Sequence, residues 1–434
     1  MEAKLFNSLF VLILCSMLFL PEQASSAGLP SVPPREVGLN YERFLHLDNL
    51  LRDYVERGEL AGVIGVVARR GRIAHFFKHG VRDIASGKPL RDDSIFRIYS
   101  MTKPVASVAV MILWERGLFQ LDDPVERYIP EFGKIKVIYP ERGSNSLLEP
   151  ENKITVKQLL THTAALNYNY PEGSELQSRY RDLNARKHDL TLKQWTQHLA
   201  EFPVTHQPGT KWQYSSPSTD VLGYLVEVLS GQRFDVFLQQ EIFEPLGMKD
   251  TGFHVPSEKV ERFTAMYGPP AKAGEELTLL EGIDASRYTA GPATFFSGSG
   301  GLVSTAGDYI RFAQMMLNGG ELDGTKILSR KTVELISANH LRPEMIPFGF
   351  NDPRLAYVTR GWGFGLGYAV LLDVPLHGMA GSIGTFKWAG AANTDHWIDP
   401  QEELIGLLLT QFMPNGHYPV DRQFRNIVYQ AIAD

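Results

Sequence analysis

The feature that most restricts how this chain can fold is the placement of its strand-forming residues. Gly62–Arg69 and Arg72–His79 are β-rich runs separated by Arg70-Gly71, the pattern of an antiparallel hairpin. Short, turn-bounded runs of the same kind return only after Arg360, at Gly365–Leu372, Leu376–Ala380, Thr385–Ala391, His396–Ile398 and Leu404–Thr410. The stretch between, from about residue 117 to 300, has mostly helical periodicity, clearest at Thr155–Thr161, Leu192–Phe202, Pro217–Leu229 and Phe234–Phe243. Strands at both ends of a chain, with helices between, pack most simply when the ends join in one antiparallel sheet.

Helices are expected to cover that sheet. Asn40–Gly58 repeats apolar residues at helical spacing (Phe44, Leu47, Leu50, Leu51, Tyr54, Val55), and Arg422–Ala433 forms the last helix. Met101–Glu115 is so rich in Val, Ala and Met that it should be buried on most sides. Ser304 or Thr305 caps a further helix running through Phe312 to Leu317. The expected fold class is α/β in the α+β sense: an antiparallel sheet flanked by helices, plus a mostly helical lobe and a cleft between them. The α/β part would comprise about 28–98 and 300–434, and the lobe about 99–299.

The first 27 residues read as an address. Lys4 precedes the apolar run Leu5–Leu20, Pro21 breaks it, and Ala24-Ser25-Ser26-Ala27 offers small residues for cleavage before Gly28. The alternative is an uncleaved anchor, for which a run of about 16 residues is short. Export to the periplasm or beyond follows, with no stable membrane association of the cleaved protein. The single cysteine, Cys15, lies inside that run, so residues 28–434 hold no disulfide, thiol nucleophile or thiolate metal site. A formal charge of −6 offers no electrostatic footprint for nucleic acid, which leaves a small molecule as the expected partner.

The sharpest chemical signal is Ser100-Met101-Thr102-Lys103 at the head of the apolar helix, followed by Pro104. Positions i and i+3 share a helix face, so the hydroxyl and the amine can meet. Serine is a weak nucleophile until a base removes its proton, and a lysine desolvated in a pocket can be that base. The bland reading is a helix cap followed by a surface lysine. Against it stands the cost of placing a lysine on the first turn of a buried helix.

With its flanking Phe96, Arg97, Pro104 and Val105, this motif resembles the serine β-lactamase and penicillin-binding superfamily, closest to the class C β-lactamase-like esterases (family VIII carboxylesterases). The resemblance extends through Leu121–Val125, Leu159–Ala164, Phe243–Met248, Gly298–Leu302 and Trp388–Gly390. It implies a β-lactamase/transpeptidase-like fold and a proton-shuttling Tyr214 in Tyr214-Ser215-Ser216, with Ser216 as a secondary hydrogen-bonding group. Where class C β-lactamases carry Lys-Ser/Thr-Gly, this chain has Trp388-Ala389-Gly390. Lys387 is one residue early, and strand alternation points it to the opposite face. Losing that cation favours uncharged esters over penicillins. Gly390 would let the strand approach the substrate, and the N–H groups of Ala391 and Ser100 would form the oxyanion hole.

The expectation is a serine carboxylesterase acting on short- to medium-chain esters through an acyl-enzyme on Ser100, without cofactor or metal. A β-lactamase or D-Ala-D-Ala carboxypeptidase, an acyltransferase, and a non-enzymatic cell-wall or penicillin-binding module are the alternatives; oligomeric state is open. Other motifs read blandly. Gly381-Ser382-Ile383-Gly384 follows Ala380, so G-x-S-x-G is missing, and the twelve His include no H-E-x-x-H. His162 is expected to tie a helix end, Asp122-Asp123-Pro124 to form a turn, and Tyr168, Tyr170, Phe295 and Phe296 to line a pocket or the core.

Overall fold

The computed structural model describes residues 28–138, 147–166, 170–272, 274–346, 349 and 359–434. The expected export signal, Cys15 and Tyr168 lie outside the described residues.

Ten strands bear on the site: β1 (Gly62–Arg69), β2 (Arg72–Asp83), β3 (Lys88–Pro89), β4 (Phe96–Arg97), β5 (Val303–Ser304), β6 (Trp362–Phe364), β7 (Ala369–Leu371), β8 (Phe386–Gly390), β9 (Thr394–Asp399) and β10 (Leu404–Thr410). Eight form one antiparallel sheet in the order β6-β7-β8-β9-β10-β1-β2-β3. Strand β1 pairs with β10, Val63 opposite Thr410, so the two ends of the chain meet in mid-sheet. The short β4 pairs separately with β5.

The helices are α1 (Tyr41–Glu56), α2 (Thr102–Glu115), α3 (Val156–Leu160), α4 (Glu175–Ala185), α5 (Leu192–Leu199), α6 (Ser216–Ser230), α7 (Phe234–Leu238), α8 (Ala306–Leu317), α9 (Arg330–Ile336), α10 (Val374–His377) and α11 (Val420–Gln430). Side-chain alternation along β1 divides the core. Val63 and Val67 face Phe44, Leu47 and Leu51 of α1 and Phe424 and Val428 of α11. Ile64, Val66 and Ala68 join Val105, Val108 and Ala109 of α2 and Phe312 of α8 in the larger core. That core continues without a break into the helical segment through α2 against α6.

Two expectations about strands fail. Leu376–Ala380 is not a strand: Val374–His377 makes one helical turn, capped by Asp373 through Leu376 N–H (2.8 Å) and ended by left-handed Gly378. An Asp cap, an early Pro and a following Gly outweigh the apolar Leu376. Gly365–Leu372 is not one strand: it holds β7 at Ala369–Leu371 and, before it, the turn that follows β6, with Gly367 at φ +93. Helix α4 was invisible to periodicity because Leu183 is its only buried residue. The segment after α7, Gln239–Phe243, winds as a π-helix.

Candidate active site

Ser100 sits in a 3-10 turn, Tyr99–Met101, that joins β4 to α2. The turn begins with Tyr99 at φ +42, a left-handed conformation that is costly for a bulky residue. Three bonds hold it: Ile98 N–H to Leu302 O (3.1 Å), Met101 N–H to Ile98 O (3.0 Å), and Tyr309 OH to Met101 O (3.0 Å). Ser100 therefore precedes the regular helix by two residues, at the end where N–H groups have no intrahelical acceptors.

Lys103 is buried at 1% exposure on the first turn of α2. Its Nζ donates to Ser299 O at 2.7 Å and to Ser100 Oγ at 3.3 Å, and lies 4.6 Å from the centroid of the Tyr214 ring. The Tyr214 hydroxyl donates to Ser100 Oγ at 2.6 Å. The three residues expected from the sequence thus meet around one oxygen, although 114 positions separate Ser100 from Tyr214.

Tyr214 is held from both chain and ring. The loop before it is pinned by Gln213 N–H to His162 O (2.9 Å), and Ser215 caps α6 through Ser218 N–H (3.0 Å). Its ring stands 5.1 Å from His162 and 5.6 Å from Trp388, in an aromatic group that includes Trp212 and Phe364. Burial, and then the Lys103 cation, press the His162 pKa well below its ordinary value, so this histidine is a neutral packing element. It stands just after Thr161, the C-cap of α3, at φ +56. Ser216 opens α6 half-buried, and among the described residues no hydrogen bond joins it to the Ser100 group.

The third element runs along β8. Trp388 turns toward Tyr214, while Lys387 turns to the other face and pairs with buried Asp395 at 3.0 Å. Among the described residues, Lys103 is the only charged side chain hydrogen-bonded to Ser100. The glycine at the end of β8 also has a structural reason to be bare. A Cβ on Gly390 would stand 2.4 Å from Ile98 O and 2.2 Å from Thr394 Oγ1, so its bareness lets the strand press on the backbone leading to the nucleophile. Asn415 Nδ2 holds Gly390 O at 2.8 Å. Ala391 follows directly, and among the described residues its N–H meets no hydrogen-bond acceptor.

Other expectations resolve into packing. Tyr170 OH donates to Pro203 O at 2.6 Å, Phe295 packs on Trp195, and Phe296 packs on Phe253. Asp123 closes its turn by accepting from Gln120 N–H and Tyr128 OH, both at 2.7 Å. Sequence reasoning missed Asp220, a buried carboxylate on the largely buried α6 whose oxygen holds the Ser297–Ser299 turn. The signal was present, since an acid inside such a helix needs partners.

Comparison with known proteins identifies the family and the fold. Residues 47–430 match the Beta-lactamase family model. The Mycobacterium tuberculosis protein Rv1367c is 34% identical over 84% of this chain and 89% of its own. Esterase EstB from Burkholderia gladioli is 32% identical over 88% of this chain and 94% of its own. Among solved structures, EstCE1, described as a hydrolase with promiscuous acyltransferase activity, superposes with a TM-score of 0.73 at 25% identity. The superposition covers 89% of this chain and 98% of that one.

Proposed function

The chain belongs to the Beta-lactamase family of serine hydrolases, and from that premise we propose that it is a carboxylesterase working through an acyl-enzyme on Ser100. The observation that carries the reading is the position of Ser100 Oγ between Tyr214 OH (2.6 Å) and Lys103 Nζ (3.3 Å). Nucleophile and base within such reach are the signature of an activated serine.

The proton moves as follows. Ser100 gives its proton to the Lys103–Tyr214 pair as Oγ bonds to the ester carbonyl carbon. The resulting oxyanion accepts from the N–H groups of Ser100 and Ala391, a donor pair of which each member is worth roughly 10²- to 10³-fold in kcat. Collapse breaks the bond to the alcohol oxygen, which takes a proton from Tyr214. Water then attacks the acyl-enzyme, and the same pair receives its proton and returns one to Ser100 Oγ.

The inward-facing Trp388, in place of a cation, supports uncharged short- to medium-chain esters over a β-lactam carboxylate. A buried ion pair on the far face keeps Lys387 from replacing it. The test is hydrolysis of p-nitrophenyl esters from acetate to laurate, beside a chromogenic cephalosporin, by wild type and Ser100→Ala. Short esters should be turned over, the cephalosporin poorly, and the mutant should be inactive; preference for the cephalosporin, or an active Ser100→Ala, overturns the reading. Acyl transfer is the second reading, favoured by the likeness to EstCE1, and an added alcohol acceptor would divert the acyl group to a new ester. We propose also that residues 1–27 are removed on export to the periplasm or medium, which N-terminal sequencing of the natural protein checks.

A further inference from the structure

Two buried ionisable side chains, Asp220 and Lys103, flank the Ser299 backbone. Asp220, on α6, is 1% exposed, and among the described residues no Lys, Arg or His lies within ion-pairing distance of it. Its Oδ1 accepts from Ser297 Oγ (2.7 Å) and from Ser299 N–H (2.9 Å). The Ser299 carbonyl, on the other side of the same residue, accepts from Lys103 Nζ at 2.7 Å. Lys103 likewise has no carboxylate within ion-pairing distance among the described residues. A buried polar group without hydrogen-bond partners is expensive, and both side chains find theirs on the same short turn.

The turn itself is rigid. Ser297 and Ser299 hydroxyls lie 3.0 Å apart, and Gly301 N–H donates to Ser297 O at 3.0 Å. A Cβ on Gly298 would stand 2.6 Å from Thr219 O, so the turn is pressed against the backbone of α6 one residue before Asp220. Helix α6 thereby governs both partners of the nucleophile. Tyr214 enters it from one end, and Asp220, six positions on, reaches Lys103 through Ser299.

We propose that Asp220 is a positioning residue for Lys103: its carboxylate fixes the 297–301 turn so that the Ser299 carbonyl faces the lysine and directs Nζ at Ser100. This rests on the reading of Lys103 as the group that activates Ser100. Without Asp220 the Ser299 carbonyl is free to rotate, and Nζ loses its shorter hydrogen bond. Substrate contacts are untouched, so the loss belongs in kcat and not in KM.

The test is a double-mutant cycle on the full mature protein, read by p-nitrophenyl acetate turnover, by the rate of Ser100 labelling with a fluorophosphonate, and by thermal midpoint. In the parent protein, Asp220→Ala should lower kcat and the labelling rate by about 100-fold, the scale of a misplaced catalytic group, with KM within about threefold. In a Lys103→Ala background the same substitution should change labelling by less than about threefold, because the residue it positions is gone. An equal loss in both backgrounds, or no loss in the parent, overturns the proposal. If Asp220→Ala does not fold, Ser297→Ala completes the cycle, with about a tenfold loss expected and the same two overturning results. An active Lys103→Ala protein would sink the underlying reading instead; an inactive one with a fully active Asp220→Ala sinks this inference alone.

Discussion

Gly390→Ala puts one methyl group where the structure has no room for it, and its cost can be worked out. The new Cβ would lie 2.4 Å from Ile98 O and 2.2 Å from Thr394 Oγ1, against an ordinary contact of at least 3.4 Å. Strand β8 and the segment entering the Ser100 turn must therefore part by about 1 Å. Overpacking of this kind costs about 1–3 kcal/mol of stability. In the proposed mechanism the two oxyanion donors, Ser100 N–H and Ala391 N–H, lie on opposite sides of that contact. Opening it by about 1 Å takes one donor beyond hydrogen-bond reach, a loss of about 100-fold or more in kcat. The assay is p-nitrophenyl acetate hydrolysis well below the unfolding transition, with kcat and KM separated. Adding Thr394→Ala removes one of the two clashes but leaves Ile98 O, so stability should partly recover while kcat does not. Wild-type kcat in Gly390→Ala, or full rescue by Thr394→Ala, would refute the reasoning.

Two further outcomes follow from charge burial. Lys387→Met should leave buried Asp395 without its partner and cost about 3–5 kcal/mol in chemical denaturation, while kcat stays within about twofold because Lys387 faces away from Trp388. A large activity loss at unchanged stability would contradict that. Burial raises the Asp308 pKa from 3.8 to about 6. The folded state then binds more protons than the unfolded one at this residue between those values, so the contribution of Asp308 to stability is full below about pH 4 and is lost as pH rises through 6, by about 3 kcal/mol. Asp308→Asn, whose amide oxygen can still accept from Asp250 N–H and Thr251 OH, should flatten this slope in urea titrations from pH 4 to 8. An unchanged slope would locate the titration elsewhere.

Much of this was legible in the sequence because the signals are local. Helix α1 falls within the Asn40–Gly58 run, Thr305 is the cap of α8 from the expected pair Ser304 and Thr305, and Leu404–Thr410 is a strand with the predicted ends. Ser100, Lys103 and Tyr214 could be named from motifs, and alternation alone turned Lys387 away from Trp388. The illegible parts depend on partners distant in the chain. Asp220 acquires its meaning only when α6 meets a turn 77 and 79 residues later. The contact of Gly390 with Ile98 is illegible in the same way, because nothing local reveals that a residue nearly 300 positions earlier occupies the space beside it. The one-turn helix at Val374–His377 was masked by an apolar residue whose neighbours gave the better signal.

The same distinction applies to four of the seven non-glycine residues with positive φ among the described residues; the other three, Arg70, Asp323 and Glu403, stand in turns. Tyr99, His162, Ala165 and Asn393 all take φ between +42 and +64, a conformation that costs a non-glycine residue on the order of 1–2 kcal/mol. Each stands beside a piece of the site: Tyr99 before the nucleophile, His162 and Ala165 in the loop that pins Tyr214, and Asn393 two residues after Ala391. Local preference would relax every one of them, so tertiary bonds must hold them. Asn393 is fixed through Phe412 O (3.1 Å) and Gly416 N–H (3.2 Å), His162 through Leu159 O and Gln213 N–H, and Tyr99 by the bonds that bracket the Ser100 turn. Three segments far apart in sequence are thus bent against their own preferences at the point where they converge. A chain selected for stability alone would have placed glycine or asparagine at all four positions. Only Asn393 meets that rule, which is what is expected where side chains are needed to build a site and the surrounding fold supplies the energy to hold them.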